Sequence, residues 1–136
     1  VNLSNANHKF PSQLSGGMQK RTGIARAIVM NPKYLFCDEP NSGLDPQTSI
    51  VVDELIMEIT EEYQITTITN THDMNSVIAN GDKIIFLHEG NKHWEGDKVS
   101  LFESDNKELI DFIFASEFLK EARDARHEKI ISKLKK

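Results

Sequence analysis

Four apolar residues, Tyr34-Leu35-Phe36-Cys37, end abruptly at two carboxylates, Asp38 and Glu39, followed by Pro40. A run this short and this sharply bounded reads as a buried parallel strand. Asn41 to Pro46 is turn chemistry, and Asp45 can cap a helix that carries Pro46 at its first position. Val51, Val52, Leu55, Ile56 and Ile59 then recur at helical spacing to about Tyr63. Ile65 to Thr69 is rich in β-branched residues and reads as a second strand. Strand, helix and strand make a βαβ unit, which requires a parallel sheet and an α/β fold.

The flanking segments extend this pattern. Val1 to Gln13 is polar, and a helix is expected from Ser15 or Gly16 to Met30, ended by Asn31-Pro32. After the βαβ unit come a short helix over Met74 to Ala79 and a strand over Lys83 to His88. Glu89-Gly90-Asn91 is a hairpin turn into His93-Trp94-Glu95. Val99 to Lys136 is helical in pattern, with Phe112, Phe114, Phe118 and Leu119 as apolar anchors.

Composition excludes several classes. The chain has 136 residues and a formal net charge of −5. Residues 1–116 carry 9 Lys+Arg against 17 Asp+Glu, while residues 117–136 carry 7 against 4. The acidic body argues against nucleic acid as a partner, since phosphate backbones require a basic face. No apolar run approaches the ~18 residues of a transmembrane helix. The lone Cys37 suits a reducing compartment. Val1 is not Met, and the chain is expected to begin inside a longer gene product.

Three features carry chemistry. Leu14-Ser15-Gly16-Gly17-Met18 stands at a helix N-terminus, where backbone N–H groups, a hydroxyl and the helix dipole can meet a phosphate. Taken alone it reads first as a Ser–Gly helix cap. Asp38 lies where α/β folds place ligands, and suits Mg²⁺ held partly through water. Glu39 beside it can orient and deprotonate an attacking water. His72, just past the second strand, can donate to a terminal phosphate. No Cys/His spacing suggests zinc.

Order and spacing join these features. Leu14 to Met18, followed by Gln19-Lys20-Arg21 and Ile24-Ala25-Arg26-Ala27, resembles the signature motif of ATP-binding-cassette ATPases. Tyr34 to Glu39 is similar to their Walker B strand with its catalytic glutamate. Ser42-Gly43-Leu44-Asp45-Pro46 is similar to the D-loop, and Thr71-His72-Asp73 to the switch histidine. The resemblance covers roughly Phe10 to Gly96. It implies the C-terminal part of a P-loop NTPase domain, with a mainly parallel sheet flanked by helices, over residues 1–116. Residues 117–136 form a helical C-terminal tail outside the resemblance.

What the resemblance implies about mechanism is specific. Two such domains sandwich two ATP molecules head to tail, with Ser15, Gly16, Gly17 and Met18 facing ATP held by the second subunit. Asp38 supports Mg²⁺, Glu39 activates water, His72 contacts the γ-phosphate, and Asp45 reaches across the interface. Closure and opening drive transmembrane permease subunits from the cytoplasmic face of the inner membrane. No G-x-x-x-x-G-K-[ST] occurs, since none of the 7 glycines precedes a lysine. The phosphate-gripping loop is expected in sequence before Val1, and the 136 residues alone are expected to be inactive, with apolar sheet faces in need of cover.

Among branches, Gly43-Leu44-Asp45 and Lys20-Arg21…Arg26 set the chain apart from the translation and chromosome-structure ATPases. Met18, Gly43 to Ser49 and Val52 to Ile56 resemble the Mla-type lipid-asymmetry transport ATPases, which implies envelope phospholipid transport. The alternatives are the ATPase of an osmolyte or peptide importer, and a catalytically incomplete binding or regulatory module. Lys120 to Lys136 reads as a frayed, solvated terminus or as a helix that docks on the neighbouring subunit or the membrane partner.

Overall fold

The structure, a computed structural model, describes residues 1–4 and 6–114. Two compact units form, Val1–Asn80 and Gly81–Lys136. The first unit contains a 3-10 turn at Pro11–Gln13, then α1 (Gly16–Ile28), β1 (Tyr34–Asp38), α2 (Pro46–Glu62), β2 (Thr66–Asn70) and α3 (Met74–Asn80).

The βαβ unit is present. β1 and β2 pair in parallel, with Tyr34 opposite Thr66 and Asp38 opposite Asn70. α2 is the crossover, and its apolar stripe of Val52, Leu55, Ile56 and Ile59 packs with Ile24, Leu35 and Ile65 into one core. Burying side chains of this size contributes roughly 1.5–3 kcal/mol each. α2 starts where expected: the Asp45 side chain accepts from Thr48 N, and Pro46 fills the first turn.

Several boundaries shift by a residue or two from the sequence expectation, and the cover of β1 differs from it. α1 ends at Ile28 rather than Met30, because Asn31 takes a left-handed φ of 48° and its N–H bonds back to Ile28 O at 2.9 Å. β1 is covered on one face only. Leu35 faces the core, whereas Tyr34 and Phe36 are 62% and 74% exposed. The physical reason is that the described helices pack on one face only. A two-stranded sheet whose described helical core lies against its Leu35 face leaves alternate side chains uncovered.

In the second unit β3 (Ile84–His88) and β4 (Asn91–Gly96) form an antiparallel hairpin. Its turn residues Glu89 and Gly90 have φ of 49° and 75°. Two successive positive φ values give a turn whose twist matches the strands it joins. The segment from Val99, expected to be helical, forms two short helices among the described residues, α4 (Lys98–Glu103) and α5 (Lys107–Ile113). Asp97 and Asn106 each cap a new N-terminus, Asp97 accepting from Ser100 N and Asn106 from Leu109 N, so the break follows from side chains that compete for backbone N–H groups. Phe114 is buried and Phe112 is 47% exposed. Phe118, Leu119, the expected boundary at residue 117 and the helix over Lys120 to Lys136 lie outside the described residues. No described helix is long and apolar enough to cross a membrane.

Candidate active site

The C-terminal edge of the parallel pair gathers Asp38, Glu39 and His72. Register sets Asp38 beside Asn70, whose Nδ2 donates to Asp38 Oδ1 at 2.7 Å. The chain then turns at Glu39, which has a φ of 46°. A non-glycine residue in this left-handed region is uncommon and must be held by its surroundings. Here the Glu39 N–H donates to Asn70 O at 2.9 Å, and the Glu39 carbonyl accepts from Lys20 Nζ at 2.8 Å. Lys20 projects from α1, so one helix fixes the backbone of the proposed base.

Glu39 Oε1 accepts from the His72 backbone N–H at 3.1 Å and contacts ring Nδ1 at 2.9 Å. The sequence placed Glu39 and His72 in separate roles; the fold makes them partners. The Glu39 hydrogen bond and charge, with Asp73 adding a smaller push, raise the imidazole above its ordinary 6.5. Asp38 stays exposed, and no group of three or more His, Cys, Asp or Glu that could hold a metal occurs among the described residues. A single strand-end carboxylate is nonetheless a fitting ligand for Mg²⁺, which takes one or two carboxylates and completes its shell with water and phosphate oxygens.

A second group forms around the N-termini of α1 and α2. Ser15 caps α1, its Oγ accepting from Met18 N at 3.4 Å. A hydroxyl that accepts through a lone pair keeps its proton to donate. Gly17 is buried, and a Cβ placed on it would stand 2.5 Å from Thr48 Cγ2. On Gly16 a Cβ would lie 3.2 Å from Leu44 Cδ2. Both glycines therefore serve the approach of α1 to the Leu44–Thr48 segment. Asp45 Oδ1 accepts from Thr48 N at 3.0 Å and Oδ2 from Thr48 Oγ1 at 2.5 Å, which lowers its carboxyl below the ordinary range. Gly17 and Asp45 thus meet through Thr48, and Gly16 meets Leu44 one residue before Asp45, so the starts of α1 and α2 pack together.

Sequence reading missed Lys20 as a backbone clamp and Asn70 as the partner of Asp38. The Asn70 signal was available, because parallel pairing of the two runs sets residue 70 opposite residue 38. It also passed over Asn41, Asp53 and Ser76, which hydrogen-bond to one another.

The fold defines the class: part of an α/β domain of the P-loop NTPase type. Comparison with known proteins carries this further. A family model described as ABC transporter matches residues 1–42. The methionine import ATP-binding protein of Desulfitobacterium hafniense is 40% identical over 121 residues, covering 86% of this chain and 36% of that protein. A probable amino-acid ABC transporter ATP-binding protein of Sinorhizobium fredii is 39% identical over 124 residues, covering 91% of this chain and 46% of that protein. Among solved structures, a dimeric post-hydrolysis ATP-binding cassette bound to ADP and Pi superposes with a TM-score of 0.58 at 38% identity. That match covers 65% of this chain and 38% of the other. Over these stretches the chain is similar to part of the ATPase domain of ABC transporters. It spans less than half the length of these relatives. Their names concern amino-acid import, so the expected lipid-asymmetry branch finds no support in them, and the importer alternative fits better.

Proposed function

We propose that the chain carries the water-activating half of an ATP-hydrolysing subunit of an ABC importer, with a small amino acid or similar solute as cargo. The observation that carries this reading is Glu39. It stands at the C-terminal edge of a parallel pair, beside Asp38 and bonded to His72. In this reading residues 1–116 are the partial ATPase domain and residues 117–136 a tail. The loop gripping the β- and γ-phosphates is supplied by further sequence.

The roles follow from chemistry. Asp38 would hold Mg²⁺, which supplies charge neutralisation at the phosphates when bound. His72, holding a proton more firmly than a free imidazole, donates toward the terminal phosphate of ATP after exchanging Glu39 for it. Glu39 takes a proton from the attacking water and aligns it in line with the leaving oxygen. Both His72 contacts fall on Oε1, which leaves Oε2 as the oxygen to act on water in this reading. Ser15 presents its hydroxyl, and Gly16 and Gly17 their N–H groups, to ATP on a second subunit arranged head to tail, with Met18 beside them, and Asp45 links the two sites. Transmembrane permease subunits at the cytoplasmic face of the inner membrane are the mechanical partners, and nucleic acid is not.

The test is phosphate release by the full-length protein and its Glu39→Gln variant. Loss of a positioned base costs roughly 10²–10⁴-fold. Turnover within a few-fold of the parent would end the assignment. In proteoliposomes with its permease, stimulation of hydrolysis by an amino acid supports the importer reading, and stimulation by phospholipid alone overturns it.

A further inference from the structure

The Glu39–His72 contact lies largely in water, with the His72 side chain 73% exposed and that of Glu39 33% exposed. Exposed bonds of this kind hold geometry weakly. A second set of contacts, one buried and two part-buried, joins the same region. Asn41, two residues past Glu39, and Ser76, four past His72, are each 7% exposed. Asn41 Nδ2 donates to Asp53 Oδ1 at 2.8 Å and contacts Ser76 Oγ at 2.9 Å. Ser76 Oγ donates in turn to Asp53 Oδ2 at 2.5 Å. Three side chains close a ring: one from the loop after β1, one from α2, one from α3.

The ring's chemistry is directional. Both amide hydrogens of Asn41 are used, and both Asp53 oxygens accept. Turning the amide over would set its carbonyl against a carboxylate, so only one orientation serves. That orientation leaves Asn41 Oδ1 buried with no hydrogen-bond partner among the described residues. Such a ring is a poor way to gain bulk stability, since apolar groups would fill the space at less desolvation cost. What a directional network of this kind does supply is a defined spacing between the elements it joins.

We infer that Asn41, Asp53 and Ser76 are positioning residues that set where α3 begins relative to the β1 loop, and so hold His72 at bonding distance from Glu39. This rests on the reading of Glu39 and His72 as the hydrolytic pair. The backbone of Glu39 is already clamped by Lys20 and Asn70; the ring fixes the other partner. Asn41 does not touch the reacting atoms. It acts through the two loops it ties together.

The test uses the full-length protein with Ser76→Ala, Asp53→Asn, and the exchange pair Asn41→Asp with Asp53→Asn, which keeps an amide facing a carboxylate. Three readouts are taken: kcat and KM for MgATP, the NMR titration midpoint of the His72 imidazole, and the thermal midpoint. Misplacement of ~1 Å costs up to ~10²-fold, so Ser76→Ala and Asp53→Asn should lower kcat roughly tenfold or more. KM should change less than kcat, because among the proposed nucleotide contacts only that of His72 is displaced. The His72 midpoint should fall toward the ordinary 6.5 as Glu39 is lost, and the exchange pair should recover both values. Where Ser76→Ala does not fold, Asp53→Asn, which conserves volume, decides. A lowered thermal midpoint with kcat and the His72 midpoint unchanged would reduce the ring to a structural patch and overturn the proposal. If Glu39→Gln hydrolyses ATP normally, the catalytic reading fails instead, and the His72 midpoint still reports whether the ring holds the loops together.

Discussion

Replacing Gly17 and Gly23, two glycines of the same helix, by alanine should move stability in opposite directions. In open space, Gly→Ala inside a helix gains about 0.5–1 kcal/mol by restricting the unfolded chain. Gly23 lies within α1 with no neighbouring atom inside 4 Å of where a Cβ would stand, so Gly23→Ala should realise that gain. Gly17 is buried, and its Cβ would meet Thr48 Cγ2 at 2.5 Å. Contacts that close force side-chain or backbone shifts costing typically ~1–3 kcal/mol. The propensity gain near a helix end is smaller than in its interior, so the net for Gly17→Ala is a loss of roughly 1–2 kcal/mol.

The source of that loss can be isolated. Thr48→Ser removes the clashing methyl but keeps the hydroxyl that bonds Asp45 Oδ2. The double variant Gly17→Ala with Thr48→Ser should therefore recover about 1 kcal/mol beyond additivity, as residues in contact do. Urea unfolding of the four proteins at one temperature gives the cycle. Gly17→Ala as stabilising as Gly23→Ala, or a cycle with no coupling, would refute the packing argument and return Gly17 to a ligand-facing role alone.

Other consequences follow from the same contacts. His72 is raised above 6.5 by Glu39, so the stability this pair adds is complete below the unfolded value and is lost as pH rises through the folded one. Its imidazole resonances should shift their midpoint downward in Glu39→Gln, and an unmoved midpoint would deny the contact. Glu95, bonded to Lys83 and Lys92, is lowered to about 2. Its contribution to the hairpin should be present above about 4.5 and fade as pH falls through about 2, which the exchange rates of β3 and β4 amides can follow. Leu35, 4% exposed, and Phe36, 74% exposed, are chain neighbours on opposite sheet faces. In the 136-residue chain Leu35→Ala should cost ~2–5 kcal/mol and Phe36→Ser less than ~1, by chemical denaturation. Equal costs would mean that the Phe36 face is covered.

The βαβ unit was legible because β1 and β2 differ from α2 in hydrophobic period, and Asp45-Pro46 marks the start of α2. Asp38, Glu39 and His72 were legible as candidates because strand ends carry them. Their geometry was not. A hydrogen bond between residues 33 apart depends on how two loops fold over one edge, and no local pattern encodes it. The double duty of Gly17 was hidden for a related reason. A glycine at a helix start reads equally as a ligand cradle and as a packing gap until the neighbour, Thr48, is placed. The break between α4 and α5 was within reach, since Ser104-Asp105-Asn106 is a capping sequence that helical periodicity alone overrode.

The most direct test of the central claim is the solution mass of full-length Glu39→Gln with and without ATP, with the bound nucleotide identified afterwards. The account predicts a monomer that becomes a dimer on ATP, holding two ATP molecules unhydrolysed. A protein that stays monomeric at saturating ATP, or a dimer that yields ADP, would contradict it.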